Sequence, residues 1–243
     1  MSLWVAGVDG CKAGWLCVLA RLDASAPPRA AIYARFADVL MLQEAPLVIA
    51  VDVPIGLPER AIPGGRACDV ALRRHLGGRQ SSVFAVPARA AVMQQGYVEA
   101  CATAERHSDP PRKVSKQCFN IFPKIREVDA ALTPQLQGRI VECHPEGAFW
   151  AMNGERALEV PKKVKSRPYP PGLALRRALL IAAGFAPAFL DETRFAAAQA
   201  GMDDFLDACA CAWTAARVQR GQARRFPDDP PRDGRGLRME ILA

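Results

Sequence analysis

Apolar residues are concentrated in short runs near the start of the chain, and each run predicts a β-strand. Residues 3–9, 14–22 and 29–36 form three such runs, with connections short enough for antiparallel hairpins. A predicted helix over 37–44 separates them from a fourth run, Leu47–Val53, which is apolar at almost every position. That continuity is typical of a central strand covered on both faces.

The middle of the chain has apolar residues at helical spacing. Prolines and a glycine within 54–58 interrupt regular structure, and helices are predicted over Ala67–Leu76, Tyr97–His107 and Phe119–Leu132. A short strand, Arg139–Cys143, follows them. A mostly helical stretch therefore separates the fourth strand from the fifth.

The last third of the chain is predicted to be mainly helical. Residues 161–171 are rich in lysine and proline and predict a loop. Helices are predicted over Leu173–Gly184, which the glycine closes, and over Asp203–Arg220. The last helix has acids at its start and bases at its end, which matches the helix dipole. Gly236–Leu242 is predicted to be a final edge strand.

The order of these elements predicts an α/β fold in a single domain over residues 1–243. Half of the 243 residues are hydrophobic, which is enough for a substantial core. The helical stretch at about residues 58–136 is expected to be an insertion into this domain, since it interrupts the strand order and shows no boundary of its own.

Positive charge is concentrated in that insertion. Between Arg60 and Asp129, 12 Lys and Arg residues stand against 6 Asp and Glu residues, whereas the rest of the chain holds 20 against 19. Such a region is expected to face an anion such as a nucleic-acid backbone, and nucleic acid is the expected partner. Arginines that only solvate helix faces are the alternative.

The cysteines indicate a reducing compartment. There are eight, none in a Cys-x-x-Cys pair, and most lie inside apolar runs, as buried thiols do. No signal-peptide pattern opens the chain, and no apolar stretch approaches membrane-spanning length. We therefore expect a cytoplasmic protein without a membrane partner.

Carboxylates end or begin several of the predicted elements. Asp9 closes the first strand, Asp52 the fourth and Glu142 the fifth, and the last helix opens with Asp203, Asp204 and Asp207. Capping of the helix explains Asp203 and Asp204. It explains Asp207 less well, because a buried-looking sequence follows it. Asp207 is therefore expected to face something specific.

Carboxylates gathered in one cleft repel each other unless a cation lies among them. Oxygen ligands without cysteine or histidine suit Mg²⁺ or Mn²⁺. Two such ions, roughly 4 Å apart, would activate a water and stabilise the leaving oxygen in phosphodiester hydrolysis. The acids therefore predict a catalytic centre with two divalent ions.

Cationic and polar residues near these acids are candidates for binding phosphate or substrate. They are Lys12, Arg66, Arg79, Arg89, Lys116, Lys124 and His144. For the arginines, pairing with acids such as Asp69 is an equal alternative. The two later lysines flank polar residues unusual for a core helix, which favours a cleft. The histidine could be a general acid or base, or could simply be hydrogen-bonded beside its glutamate neighbours.

Several short motifs together resemble the signature blocks of one family. In chain order they are Val8-Asp9-Gly10-Cys11 with Gly14-Trp15, Val51-Asp52-Val53-Pro54-Ile55-Gly56-Leu57, Cys68-Asp69, Ser81-Ser82-Val83-Phe84, Lys116-Gln117 with Asn120-Ile121, Lys124-Ile125 with Glu127-Val128-Asp129, Glu142-Cys143-His144-Pro145-Glu146 and Asp203-Asp204-x-x-Asp207-Ala208. They resemble the domain-of-unknown-function family numbered four-two-nine, described as predicted ribonuclease H-like nucleases and related in fold to Holliday-junction resolvases.

The resemblance implies a ribonuclease H-like core, with a five-stranded mixed sheet flanked by helices. It also implies metal-binding acids on the first strand, the fourth strand and the last helix. These correspond to Asp9, Asp52 and either Asp204 or Asp207. Glu142 has no clean equivalent in the resolvase pattern, so it is expected to support the site, or to act as a ligand if its loop brings it in.

Two other classes of function stay open. An actin-like or sugar-kinase-like phosphotransferase or ATPase shares this core and could use Asp9-Gly10-x-Lys12 as a phosphate loop, but such enzymes usually duplicate the core. A non-catalytic module that binds nucleic acid or another anion is the third class. DNA, RNA and nucleotides are all open as substrates, and so is the oligomeric state, a homodimer included.

Overall fold

The computed structural model describes residues 3–165 and 167–243. The strands are β1 (Trp4–Cys11), β2 (Gly14–Arg21), β3 (Arg29–Tyr33), β4 (Ile49–Val51), β5 (Ile140–Glu142), β6 (Lys163–Val164), β7 (Arg167–Pro168), β8 (Arg225–Phe226) and β9 (Ile241–Leu242). The α-helices are α1 (Phe36–Leu40), α2 (Ala67–Arg73), α3 (Arg89–Val92), α4 (Tyr97–Arg106), α5 (Lys116–Asn120), α6 (Phe122–Ala131), α7 (Pro145–Met152), α8 (Pro170–Ala182), α9 (Pro187–Glu192) and α10 (Met202–Gln219). Short 3-10 helices cover Gly77–Ser82 and Leu136–Gly138.

Five strands form the central sheet, in the order β3-β2-β1-β4-β5. The pairs β3–β2 and β2–β1 are antiparallel, and β1–β4 and β4–β5 are parallel. This confirms the predicted α/β fold with a five-stranded mixed sheet flanked by helices. β1 and β4 are neighbours, so their carboxyl ends lie side by side.

Alternate residues of the central strands belong to two separate cores. Ala6 and Val8 of β1 pack with the helices of the insertion, whereas Val5 packs in a second core that contains α7, α8 and α10. In β4, Val51 belongs to the first core and Ala50 to the second. We call these two sides of the sheet the insertion face and the α10 face; strand alternation decides which of them each side chain meets.

β1 and α10 are in direct backbone contact. A Cβ atom on Gly7 would lie 1.9 Å from the backbone nitrogen of Ala212 and 2.2 Å from the carbonyl oxygen of Ala208. Only glycine lets the helix backbone approach the strand this closely. This contact fixes the middle of α10 against the middle of β1.

The stretch between β4 and β5 holds α2 to α6, as the helical spacing predicted. The Arg89 guanidinium bonds Asp129 of α6 and Asp233 of the C-terminal segment, both at 2.6 Å. Asp233 also accepts the Leu57 backbone N–H at 3.0 Å. These bonds fasten the insertion to the segment that leaves β4.

Some elements differ from their predicted bounds. The predicted helix over 119–132 is broken at Ile121 into α5 and α6, because Pro123 lies in the first turn of the second helix and has no N–H to continue the first. The predicted edge strand over 236–242 was too long. Only Ile241–Leu242 is a strand; it pairs with β8, and Leu242 also bridges Cys143, which follows β5 at the edge of the central sheet. The earlier residues bond Pro231 and Arg232.

The lysine-rich segment predicted as a loop contains the small β6–β7 hairpin and the first residues of α8. All eight cysteines are buried and free. Across residues 3–165 and 167–243, none of the helices combines the length and apolarity that crossing a bilayer requires.

Gly7→Ala should destabilise the protein by about 3 kcal/mol or more, because the added methyl group would meet backbone atoms that cannot rotate away. Urea unfolding measures this change. Gly138→Ala is the control, since a Cβ there has no neighbour within 4 Å. Equal stability of the two variants would show that α10 does not depend on this contact.

Candidate metal centre

Three aspartates from three elements meet at the carboxyl edge of the sheet. Asp9 lies within β1, Asp52 directly follows β4, and Asp207 lies in the second turn of α10. One carboxylate oxygen of each lies within 4.8 Å of the others. This acidic triad, Asp9, Asp52 and Asp207, could bind a metal ion.

Strand alternation explains why these side chains converge. Asp9 is two and four residues beyond Gly7 and Val5, which face α10, and Asp52 is two residues beyond Ala50, which faces the same side. Both carboxylates therefore lie on the α10 face. β1 extends two residues past Asp9, to Cys11, so Asp9 is held inside a paired strand rather than at its end.

Burial and mutual repulsion disfavour the charged forms of these acids. Burial, and then the neighbouring Asp52 carboxylate, raises the pKa of Asp9 well above its usual range. Burial, and then Asp207, raises the pKa of Asp52 to about 7. Burial also raises the pKa of Asp207. A divalent cation would reverse this penalty, because it stabilises ionised carboxylates.

The donor set fits a hard cation. The three side chains offer only carboxylate oxygens, the ligands of Mg²⁺ and Mn²⁺. Oδ1 of Asp207 is buried and has no hydrogen-bond partner among the residues that the structure describes. A buried oxygen without a partner is costly, and a metal ion would satisfy it.

Asp203 and Asp204 have other partners at the start of α10. Asp204 accepts the Gly201 backbone N–H at 2.8 Å and so caps the helix. Asp203 pairs with the Lys163 ammonium at 2.5 Å. Of the three acids predicted on this helix, Asp207 is therefore the one that belongs to the triad.

Glu142 faces the opposite side of the sheet. It is two residues beyond Ile140, which packs on the insertion face. Its carboxylate accepts hydrogen bonds from both terminal nitrogens of Arg66, at 2.6 and 2.8 Å. The Ile55 backbone N–H adds a bond at 2.6 Å. Arg66 also bonds Asp69 at 2.7 Å and the Ile55 carbonyl at 2.8 Å. This buried network shapes the segment after Asp52.

A cavity of about 300 Å³ opens beside the triad. Asp9 and Asp52 line it, as do residues from the insertion, α7 and the segment before β6: Phe84, Gln117, Lys124, His144, Glu146 and Lys162. Arg66 and Glu142 contribute to its wall on the insertion side. Three of the predicted acids, Asp9, Asp52 and Glu142, and part of the predicted cationic set therefore share one cavity.

His144 caps α7 and lines this cavity. Its Nδ1 accepts the Glu146 backbone N–H at 3.2 Å, so the ring proton is on Nε2, which donates to the Ser82 carbonyl at 3.3 Å. Burial lowers the pKa of the imidazole. His144 is thus neutral at pH 7, with both nitrogens engaged.

The predicted cationic residues occupy different places. Lys124 lines the cavity and donates to the Gly14 carbonyl at 2.5 Å, with its ammonium 4.4 Å from the Trp15 ring centre. Lys12 lies in a neighbouring cleft and donates to the Ala197 carbonyl at 2.8 Å.

Three of them line neither that cavity nor that cleft. Lys116 lies over the Tyr97 ring, 4.5 Å from its centre. Arg79 belongs to the 3-10 helix over Gly77–Ser82, and Arg89 pairs with Asp129 and Asp233.

The sequence analysis did not identify Lys162, which forms an ion pair with the triad. Its ammonium pairs with Oδ2 of Asp207, and the carboxylates of Asp207, Asp52 and Asp9 together hold its pKa above the usual lysine range. Glu146 was also missed as a cavity residue; Arg176 holds its carboxylate at 2.5 Å. The run of lysines in the predicted loop was the available signal, but distance in sequence hid the contact.

Comparison with known proteins identifies the family of this chain. A model described as "Protein of unknown function (DUF429)" matches residues 7–232. The chain belongs to this family. No curated protein and no solved structure matches it. All three acids of the triad lie within the part of this DUF429 protein that the family model covers.

The metal-free DUF429 protein should lose stability as the pH rises from about 6 to 8. An acid whose folded pKa is about 7 and whose unfolded pKa is about 4 keeps its proton in the folded state at pH values where the unfolded state has lost it. The free energy of unfolding therefore falls with rising pH until the folded protein has also released that proton, just above pH 7. The charges that face Asp52 are those of Asp9, Asp204, Asp207, Glu146 and Lys162. Thermal unfolding in EDTA at several pH values measures the effect.

Asp52→Asn is the control for this pH dependence, because it removes one proton site and relieves its neighbours. The variant should show a clearly smaller fall in melting temperature over the same range. A wild-type protein whose stability is constant or rises between pH 6 and pH 8 would contradict the assignment of a strained acidic cluster.

Proposed function

We propose that this protein is a metal-dependent phosphodiester hydrolase with a ribonuclease H-like core that acts on nucleic acid. The observation that carries the proposal is the acidic triad, which gathers carboxylates from β1, the end of β4 and α10, and two of these acids, Asp9 and Asp52, line a cavity. Buried acids with raised pKa values in a cleft are typical of functional sites. The five-stranded mixed sheet supports the proposed core.

Asp9, Asp52 and Asp207 would hold the metal, Mg²⁺ or Mn²⁺. The ion, when bound, supplies an activated water and stabilises charge on the phosphate. Two ions need more oxygen donors than three carboxylates provide. Asp204 and Glu146 are candidates for further donors, since the charges of both add to the repulsion felt by Asp52.

Cations around the cavity are suited to holding the phosphate. Lys124, Lys162 and Lys163 all line it. Lys124 is held at the wall by the Gly14 carbonyl, on the side of the cavity that belongs to the insertion. These side chains would orient an anionic substrate over the triad.

The insertion favours a polymeric anion. It carries a group of exposed basic residues outside the cavity: Arg60, Arg74, Arg106, Arg112, Lys113 and Lys116. None of these residues lines the cavity, so a single phosphate bound there would not contact them. A nucleic-acid backbone that leaves the cavity would meet them, because its phosphates repeat along the chain.

The test is cleavage of labelled DNA and RNA oligonucleotides, single-stranded, duplex and branched, with Mn²⁺ or Mg²⁺. Wild-type protein should cleave at least one class, and EDTA should abolish cleavage. Asp9→Asn and Asp52→Asn should each lower the rate by more than about 100-fold, the upper end of the effect of outer-shell partners. Both variants should remain folded.

Asp191→Asn is the matched control, since this exposed acid pairs with Arg177 outside the cavity, and its activity should equal wild type. Metal-dependent turnover of ATP without cleavage of any oligonucleotide would contradict the proposal in favour of a phosphotransferase or ATPase. Salt-sensitive binding of nucleic acid without cleavage would favour the non-catalytic module.

A further inference from the structure

The backbone of Lys162 is held firmly beside the triad. Gly172 of α8 passes so close to it that a Cβ there would lie 1.8 Å from the Pro161 carbonyl oxygen. Arg176 donates to the Val160 carbonyl at 3.1 Å, and the Lys162 carbonyl accepts the Tyr169 N–H at 2.9 Å. Lys162 is therefore a positioned residue, although it precedes a short hairpin.

The ammonium of Lys162 is the positive charge paired with the triad. It pairs with Oδ2 of Asp207, whereas Oδ1 of the same carboxylate is buried and has no hydrogen-bond partner among the described residues. The Lys162 side chain is 26% exposed and lines the cavity. It can therefore leave Asp207 for the cavity without movement of its backbone.

One ammonium cannot balance three carboxylates. Its single positive charge faces the three potential negative charges of Asp9, Asp52 and Asp207, so two stay unbalanced when all three acids ionise. A divalent cation at the centre of the triad would balance two charges and contact all three side chains. It would also repel the ammonium at this short distance.

We propose that Lys162 is a positioning residue of the phosphodiesterase: it holds the triad together before the metal binds, and its ammonium then moves from Asp207 into the cavity, toward the substrate phosphate. The inference rests on the proposed function. Lys162 and the metal thus compete for Asp207, and the ammonium that the metal displaces stays beside the substrate because the backbone is fixed.

Calorimetric titration with Mn²⁺ at pH 8.5 tests the competition. Lys162→Met keeps the length of the side chain and removes its charge, so it should bind Mn²⁺ at least about tenfold more tightly than wild type. Lys162→Arg keeps the charge and should bind like wild type. Lys163→Met is the matched control, since the neighbouring lysine pairs with Asp203 and not with the triad.

Melting temperatures in EDTA provide a readout that is independent of the metal. Lys162→Met should melt lower than Lys163→Met, because its triad has lost its internal counterion, and Mn²⁺ should raise its melting temperature more than that of wild type. A variant that behaves like Lys163→Met in both titration and melting would overturn the inference.

Amine labelling of wild-type protein covers the case in which Lys162→Met does not fold. Acetylation, located by mass spectrometry, should be slow at Lys162 in EDTA and at least several-fold faster with Mn²⁺, while Lys163 changes little. Mn²⁺ binding by wild type without a change at Lys162 would overturn the inference alone. Absence of Mn²⁺ binding by wild type would overturn the proposed function as well.

Discussion

Repulsion among three closely spaced carboxylates is the constraint on which the rest of the site depends. Asp9, Asp52 and Asp207 lie within a few ångströms of one another, and burial makes their charged forms costly. The fold keeps them together because Gly7 lets α10 pack directly on β1. Lys162 reduces the repulsion but cannot cancel it. A site that is strained without a divalent cation is well suited to binding one.

The two faces of the sheet divide the acidic residues into two kinds. On the α10 face, the triad lacks sufficient positive charge, and its members Asp9 and Asp52 line the cavity. On the insertion face, Glu142 is fully engaged by Arg66 and backbone donors. Such a buried, bonded ion pair maintains structure. Arg66 therefore shapes the cavity wall. The carboxylate oxygens that could still bind a metal ion are those of the triad, on the α10 face.

Much of this arrangement could be predicted from the sequence. Apolar runs predicted the strands in their order along the chain, and the acids at the ends of these runs pointed to Asp9 and Asp52. Strand alternation could also have separated Glu142 from the triad. Glu142 is two residues beyond Ile140, so both side chains lie on the insertion face of the sheet. Lys162 could not be predicted, because its contact with Asp207 spans 45 residues and depends on the close passage of α8 past Pro161. Long-range contacts of this kind have no local pattern.

The most direct test of this account is calorimetric titration of Mn²⁺ into wild type, Asp9→Asn and Asp207→Asn at one pH. Asp38→Asn is the control, since this acid pairs with Arg35 at the start of α1. Wild type and the control should bind Mn²⁺, and both triad variants should lose this binding, because the two carboxylates belong to one site. Binding of unchanged affinity in either triad variant would contradict it.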